Sequence, residues 1–405
     1  MKRIISFLTL SAIAAASYAQ ITRPILLTGP DAQGSSLQQA QEVVQLAAQH
    51  GYNGISMGIG MDRMTNPSII DVSGVQAVTH AAMVSGLKYI CWRLDMNIPN
   101  NQAWGDAFNG GEIWPIGARP PASTWPRIAA IWQAVKDASA QQIIADGGDP
   151  NKVLIFVLGN EPGIGGVGSA SLDAWSFSGF YYSLFQSTGD PQWFLIAFPE
   201  EFLGQPEGYI EPGYWTMLRA IRNAVKFGGK TYCVSFEGAE ASLPGQIASV
   251  TGDDAAWVYA NTYGFAINIF GTNARKQTDS ITGTTSRAPL TPVQEAAAYA
   301  TRVDKLLAIC KANPILANER VLITEFNISS GRVPDFVDPF PYREEILKQG
   351  MNYPGIDGAM IFTAYASDLT TNGMQLFNRV VVNGAVTITP VGSNPVGPKY
   401  VNLVP

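Results

Sequence analysis

The sequence predicts an α/β protein folded as a (β/α)8 barrel, the TIM-barrel architecture, and three observations carry that reading. Short β-branched runs alternate with segments of helical period along most of the chain. Eight such runs occur, the number that closes a barrel of parallel strands. One of them, residues 153–158, is apolar without interruption, as a strand covered on both faces must be. A doubly wound open sheet is the competing arrangement of the same elements.

The first strand is Ile25-Leu26-Leu27-Thr28, followed by a helix from Ser36 whose apolar positions are Leu37, Val43, Val44, Leu46 and Ala47. That helix ends at His50-Gly51. Residues 54–57 form the second strand and 75–85 the next helix. Residues 88–94 form the third strand, and a helix over 124–145 leads into the fourth. After an irregular stretch, 214–226 reads as helix, 232–236 as the fifth strand and 258–262 as the sixth. Thr291, Pro292 and Gln294 spell a capping box with proline at the first helical position, which starts a helix running to about residue 312. Residues 321–324, 342–348 and 360–363 complete the series as strand, helix and strand. An Asn383-Gly384 turn between β-branched runs then predicts a C-terminal β-hairpin.

Two long loops hold most of the length beyond a minimal barrel: 95–123 after the third strand and 163–213 after the fourth. Both are rich in aromatics, among them Trp104, Trp114 and Trp175. The domain reading is a leader over 1–19, a catalytic barrel over 20–377, and a hairpin and tail over 378–405 packed on the barrel. The leader has Lys2-Arg3, a short apolar run and small residues before Gln20, the pattern of a cleaved secretory signal. The mature chain is therefore expected to be soluble and secreted or periplasmic.

Composition narrows the function. Of the 405 residues 46% are hydrophobic and 14% charged, which excludes disorder and coiled coils. The net charge of -6 and the lack of basic runs argue against nucleic acid and anionic membranes as partners. Only His50 and His80 are available for a histidine-based metal site or a serine triad, and both fall in helical stretches away from strand ends. Cys91, Cys233 and Cys310 are odd in number and lie in apolar segments, so buried free thiols are expected. No metal or cofactor is called for. A Gly-x-Gly-x-x-Gly stretch at 163–168 follows a strand, but no helix opens after it and no acidic strand end lies about twenty residues on. An oxidoreductase is accordingly the weakest reading.

Active sites of such barrels sit at the C-terminal ends of the strands, and three of the eight ends carry a glutamate. The fourth strand runs into Gly159-Asn160-Glu161-Pro162, the fifth ends in Phe236-Glu237, and the seventh runs into Thr324-Glu325-Phe326. The fourth and seventh ends face each other across a barrel mouth. Two opposed carboxyls suit glycosidic cleavage, one protonating the leaving oxygen and the other attacking the anomeric carbon. Glu237 is a third carboxylate able to hold a sugar hydroxyl. Taken singly, Glu161 also reads as a solvated strand end and Glu325 as an ion-pair partner at one; together, on the expected strands, they point to chemistry.

Leu158-Gly159-Asn160-Glu161-Pro162 and Ile323-Thr324-Glu325-Phe326 resemble the fourth- and seventh-strand signatures of clan A retaining glycoside hydrolases, which include the family 5 cellulases and mannanases. The resemblance implies Glu161 as acid/base, Glu325 as nucleophile and Asn160 as a ligand of the sugar 2-hydroxyl. It also implies that Tyr263, read as ending the sixth strand, stands beside the nucleophile. The chain departs from family 5 where an arginine ends the second strand and a tryptophan the eighth. Arg93 on the third strand stands in for the first, and Phe362 or Tyr365 for the second. With Trp104, Trp114 and Trp175 as sugar platforms, the reading is an exported retaining glycosidase acting on a β-linked poly- or oligosaccharide. Its carboxyls are expected about 5–5.5 Å apart. A catalytically inactive carbohydrate-binding barrel of the same fold is the alternative.

Overall fold

A strand that is apolar on both faces needs cover on both, and here helices supply one cover while the strands' own inward side chains supply the other. The computed structural model describes residues 23–397, apart from 31, 33–35, 60–69, 95–121, 163–205, 207, 211, 241, 272–275, 279–284, 288–289, 328–337, 339, 366–374 and 393–396. Eight strands close into a parallel barrel: β1 (Ile25–Thr28), β2 (Gly54–Ile59), β3 (Tyr89–Leu94), β4 (Leu154–Asn160), β5 (Lys230–Glu237), β6 (Gly264–Asn268), β9 (Arg320–Phe326) and β10 (Gly358–Ile361), with β10 pairing back to β1. Closure excludes the doubly wound sheet.

Around the barrel lie α1 (Leu37–Gln49), α2 (Ser73–Val84), α3 (Trp125–Ala145), the single turn α4 (Pro150–Val153), α5 (Pro212–Ala224), α6 (Leu243–Ala248), α7 (Gly252–Ala260), α8 (Pro292–Lys311) and α9 (Phe340–Asn352). Helix α8 begins with the capping box read from the sequence: the Thr291 side chain accepts from the Gln294 N–H, and the Gln294 side chain accepts from the Thr291 N–H. Two further short strands, β7 (Lys276–Thr278) and β8 (Thr285–Arg287), pair antiparallel between β6 and α8.

Alternation along the strands divides the core in two. Leu26, Cys91, Ile155, Val157, Tyr232, Ala266, Leu322 and Met360 fill the barrel interior. Their neighbours in sequence, such as Leu27, Trp92, Phe156, Leu158 and Ile323, face the helices. The three cysteines are buried free thiols. His50 stacks against Phe377 with ring centroids 5.1 Å apart, and His80 lies 3.0 Å from Asp146, so neither reaches a strand end.

One element differs from the sequence reading. Residues 258–262 are not the sixth strand: they close helix α7 and the turn after it, and the strand runs over Gly264–Asn268 instead. Val258 and Tyr259 are buried against neighbouring helices, so a short β-branched and aromatic run here serves a helix face. Asp253 and Asp254 in the first turn, which favour a helix N-terminus, were the opposing signal. The correction moves the C-terminal end of that strand from Tyr263 to Asn268.

The C-terminal hairpin pairs β11 (Phe377–Val382) with β12 (Ala385–Pro390) around Asn383 and Gly384, both at positive φ as a two-residue turn of this hand requires. It is tied to α1 by Arg379, which donates to both oxygens of Glu42 at 2.6 and 2.9 Å with both side chains largely shielded. Replacing Arg379 with Met should remove about 2 kcal/mol of stability, the scale of charge-assisted hydrogen bonds. Denaturation midpoints should fall while turnover of the folded fraction stays within a few-fold. A lost turnover with an unaltered midpoint would mean that the hairpin serves the chemistry rather than the fold.

Candidate active site

In a regular strand, successive side chains point to opposite faces, so two adjacent residues cannot both enter the barrel. At the mouth this rule is broken by register shifts. Along β9, Leu322 points in and Ile323 out; between Ile267 and Asn268 the pairing to β6 then slips, matching Asn268 with Glu325. Thr324 is the extra residue, and both it and Glu325 face inward. Strand β5 does the same: Val234 (φ 20°) is skipped between the pairs Cys233–Phe265 and Ser235–Ala266, which turns Ser235 into the barrel. The end of β4 bends in step, with Gly159 at φ 82° and Glu161 at φ 50°, and the Glu161 N–H donates to the Ser235 carbonyl at 2.8 Å. A left-handed glutamate is strained, and here the strain aims a carboxyl at the mouth.

These distortions gather a polar layer on top of the apolar interior. Glu325 is buried, and Arg93 of β3 donates to its Oε1 from Nη1 at 3.3 Å. Glu161 is half-buried, and its Oε1 accepts from Asn268 Nδ2 at 2.6 Å. Asn268, itself buried, also approaches Asn160 Oδ1 at 3.4 Å. Its own Oδ1 accepts from Ser235 Oγ at 2.8 Å and from Thr324 Oγ1 at 2.7 Å. Glu237 ends β5 half-buried, with Ser242 Oγ donating to its Oε2 at 2.6 Å.

Desolvation dominates the electrostatics. Burial pushes Glu161 far above the usual carboxylate range; the neighbouring Glu325 charge pushes it further, the Asn268 hydrogen bond opposes the rise, and Glu237 adds a smaller push. Burial also raises Glu325, and Arg93 opposes that rise by favouring the anion. The two carboxyls share one electrostatic site, in which the Arg93 guanidinium beside Glu325 favours the Glu325 anion and that charge in turn favours a protonated Glu161. A proton donor beside an ionised carboxylate is what this arrangement provides.

The structure brings together Glu161, Glu325, Asn160 and Arg93, with Glu237 within electrostatic reach of Glu161. Phe362, half-buried just beyond β10, packs edge-on against Phe270 at 6.1 Å, near the end of β6. Two expectations are corrected. Tyr263 precedes β6 and lies at the opposite end of the barrel, edge-on to Tyr232 at 5.5 Å and under the guanidinium of Arg320, which opens the strand that carries Glu325 near its other end. Tyr365 is buried toward Glu42 and Arg379, beneath the hairpin, rather than at the mouth. Trp104, Trp114 and Trp175 lie outside the described residues, as do the Gly-rich stretch at 163–168 and the leader at 1–19. Asn268 is the residue the sequence reading missed. Once β6 starts at Gly264, an apolar run ending in a polar side chain is visible there, as on β4 and β9.

No family model matches the chain, and no curated protein does. Among solved structures, it resembles a GH5_18 enzyme from Bifidobacterium longum subsp. longum ATCC 55813, in complex with Manb1-4GlcNAc. The TM-score is 0.50 at 10% identity, over 85% of this chain and 70% of that one. It likewise resembles a GH5_18 enzyme from Streptomyces cattleya in complex with GlcNAc, with TM-score 0.50 at 13% identity, over 86% of this chain and 73% of that one. At such identities the likeness is one of fold: the (β/α)8 barrel seen in these family 5 enzymes.

Two outcomes follow from the charges. Replacing Arg93 with Met takes a cation from Glu325, so Glu325 should ionise at higher pH. The acidic limb of any pH–activity profile should then move upward. The paired carboxyls also tax stability. Their folded-state values lie above those of the unfolded chain, where glutamate titrates near about 4.3. The folded state thus holds more protons between that value and the raised ones, and stability falls as pH rises through this window. Glu161→Gln should therefore be more stable than the parent at alkaline pH, by on the order of 2 kcal/mol, and no more stable below about pH 4. Denaturation midpoints against pH check this; a gain that persists in acid would have another origin.

Proposed function

We propose that this protein is an exported retaining glycoside hydrolase of the clan A, family 5 kind, acting on β-linked poly- or oligosaccharides. The observation that carries the reading is the asymmetric carboxyl pair: Glu325 held toward its anion by Arg93, and Glu161 opposite it held toward its acid by burial and by the Glu325 charge. The fold neighbours' Manb1-4GlcNAc and GlcNAc ligands are in keeping with a substrate of this class. Export rests on the leader pattern of residues 1–19.

In the first step Glu325 attacks the anomeric carbon, the glycosidic C–O bond breaks, and Glu161 gives its proton to the departing oxygen. A covalent glycosyl-enzyme results. In the second step Glu161, now ionised, takes a proton from water as that water attacks the same carbon and releases Glu325. Glu161 is thereby returned to its acid form and the substrate's configuration is retained. Arg93 steadies Glu325 whenever it is free and charged. Asn160, beside Asn268 at the same level, is the ligand for the sugar 2-hydroxyl.

The inactive binding barrel would need the strand-two and strand-eight departures to abolish chemistry. A binding site has no use for two carboxyls raised by burial, and this weighs for the enzyme.

The test is hydrolysis of a panel of aryl β-glycosides and β-linked polysaccharides without added cofactor. Glu325→Ala should lose at least about 10⁴-fold in turnover, since one nucleophile carries the first step. Azide should restore it by forming an α-glycosyl azide. Glu161→Ala should lose about 10²–10⁴-fold on ordinary glycosides and far less on activated aryl glycosides, whose leaving groups need no proton. Wild-type turnover in both variants would refute the assignment.

A further inference from the structure

We infer that Asn268 is a positioning residue that decides which oxygen of Glu161 carries the catalytic proton, its own amide being locked for that task by Ser235 and Thr324. The inference rests on the glycosidase reading above and adds a residue to it.

An asparagine amide has two N–H donors and an oxygen with two acceptor sites, and its orientation follows from its partners. All four are used here. Oδ1 accepts from Ser235 Oγ and Thr324 Oγ1, while Nδ2 donates to Glu161 Oε1 and faces Asn160 Oδ1. Ser235 Oγ and Thr324 Oγ1 also touch each other at 2.5 Å, and two hydroxyl protons serve three contacts. Every way of distributing them without leaving a proton idle sends at least one to Asn268 Oδ1. Turning the amide over would set its oxygen against Asn160 Oδ1 and Glu161 Oε1. It would also leave one hydroxyl proton in a buried site without an acceptor, which is the costly outcome. One orientation satisfies the set.

The consequence falls on Glu161. With Oε1 occupied as an acceptor, the acid proton resides on Oε2. When that proton is donated, the charge left behind meets an N–H already in place at 2.6 Å, so no dipole has to turn during the reaction. The register shifts make this possible: the extra residue in β5 turns Ser235 inward beside Thr324, which faces in by regular alternation, and the slip in β9 sets Asn268 in pair register with Glu325. The amide thus links the nucleophile's strand to the acid.

The experiment is a ¹³C carboxyl NMR titration of the full chain labelled in glutamate, with Glu161 identified by the resonance missing in Glu161→Gln. In Asn268→Ala the Glu161 midpoint should rise by about one to two pH units, the worth of a hydrogen bond to a charged group. In Asn268→Asp it should rise further, because the Ser235 and Thr324 hydroxyls hold the new carboxylate ionised beside Glu161. The double variant Ser235→Ala/Thr324→Val keeps the amide but removes its lock, and should raise the midpoint by less than Asn268→Ala. In turnover, Asn268→Ala should lose ten- to a hundredfold on unactivated glycosides and only a few-fold on activated ones. A role in packing alone would move neither the order of midpoints nor the leaving-group dependence. Unchanged Glu161 midpoints in all three variants, or a lower one in Asn268→Asp than in Asn268→Ala, overturn the inference. The titration reads the coupling with or without turnover, so an inert wild type would refute the glycosidase reading alone.

Discussion

Closure of a parallel barrel forces an alternation of inward and outward side chains, and the mouth depends on where that alternation is broken. Below the mouth the rule holds, and the interior fills with Leu26, Ile155, Val157, Leu322, Met360 and their neighbours. At the top, extra residues in β5 and β9 and the paired bend in β4 let polar side chains enter at successive positions. A regular β9 presenting Thr324 inward would have sent Glu325 into the helix layer. Bulges placed beside a site re-aim side chains in this way, and here they turn in the Glu325 carboxyl and the Ser235 hydroxyl that bonds the Asn268 amide.

The second constraint is electrostatic. Two carboxyls in one buried site raise the cost of ionising together, so near neutral pH such a site favours one anion and one acid without needing different residue types. Arg93 on β3 breaks the symmetry in favour of a charged Glu325. Asn268 does something different for Glu161: it gives the carboxyl a hydrogen bond without bringing a full charge beside it. The same burial that raises both carboxyls lowers folded-state stability toward alkaline pH. An apolar interior, a layered helix shell and the hairpin clamp through Arg379 are the counterweight.

The far end of the barrel is built from the same strands for another purpose. There Tyr232, Tyr263, Arg320 and Asp357 form a cluster: Tyr232 and Arg320 both donate to Asp357, and the guanidinium lies over the Tyr263 ring. Strands β5 and β9 thus carry one polar cluster at each end, this one and the layer at the mouth. A residue misassigned by a few positions along the chain changes from one to the other, as Tyr263 does.

The sequence by itself determined the architecture. Alternating β-branched runs and helical periods, the Thr291 capping box and the Asn383-Gly384 turn are local signals, decided by backbone propensity and by which face an element buries. It also placed Glu161 and Glu325 on their strands, because a polar residue ending an apolar run can be read without knowing what it faces. The tertiary structure alone decided the rest. The sixth strand lies elsewhere because Val258 and Tyr259 bury a helix face as readily as a strand face, and packing settles what the Asp253-Asp254 pair at the helix start only hints at. The pairing of Arg93 with Glu325 joins residues 232 positions apart. The Asn268 network depends on register slips of one residue, which leave no mark in composition or periodicity because they arise from how neighbouring strands share hydrogen bonds.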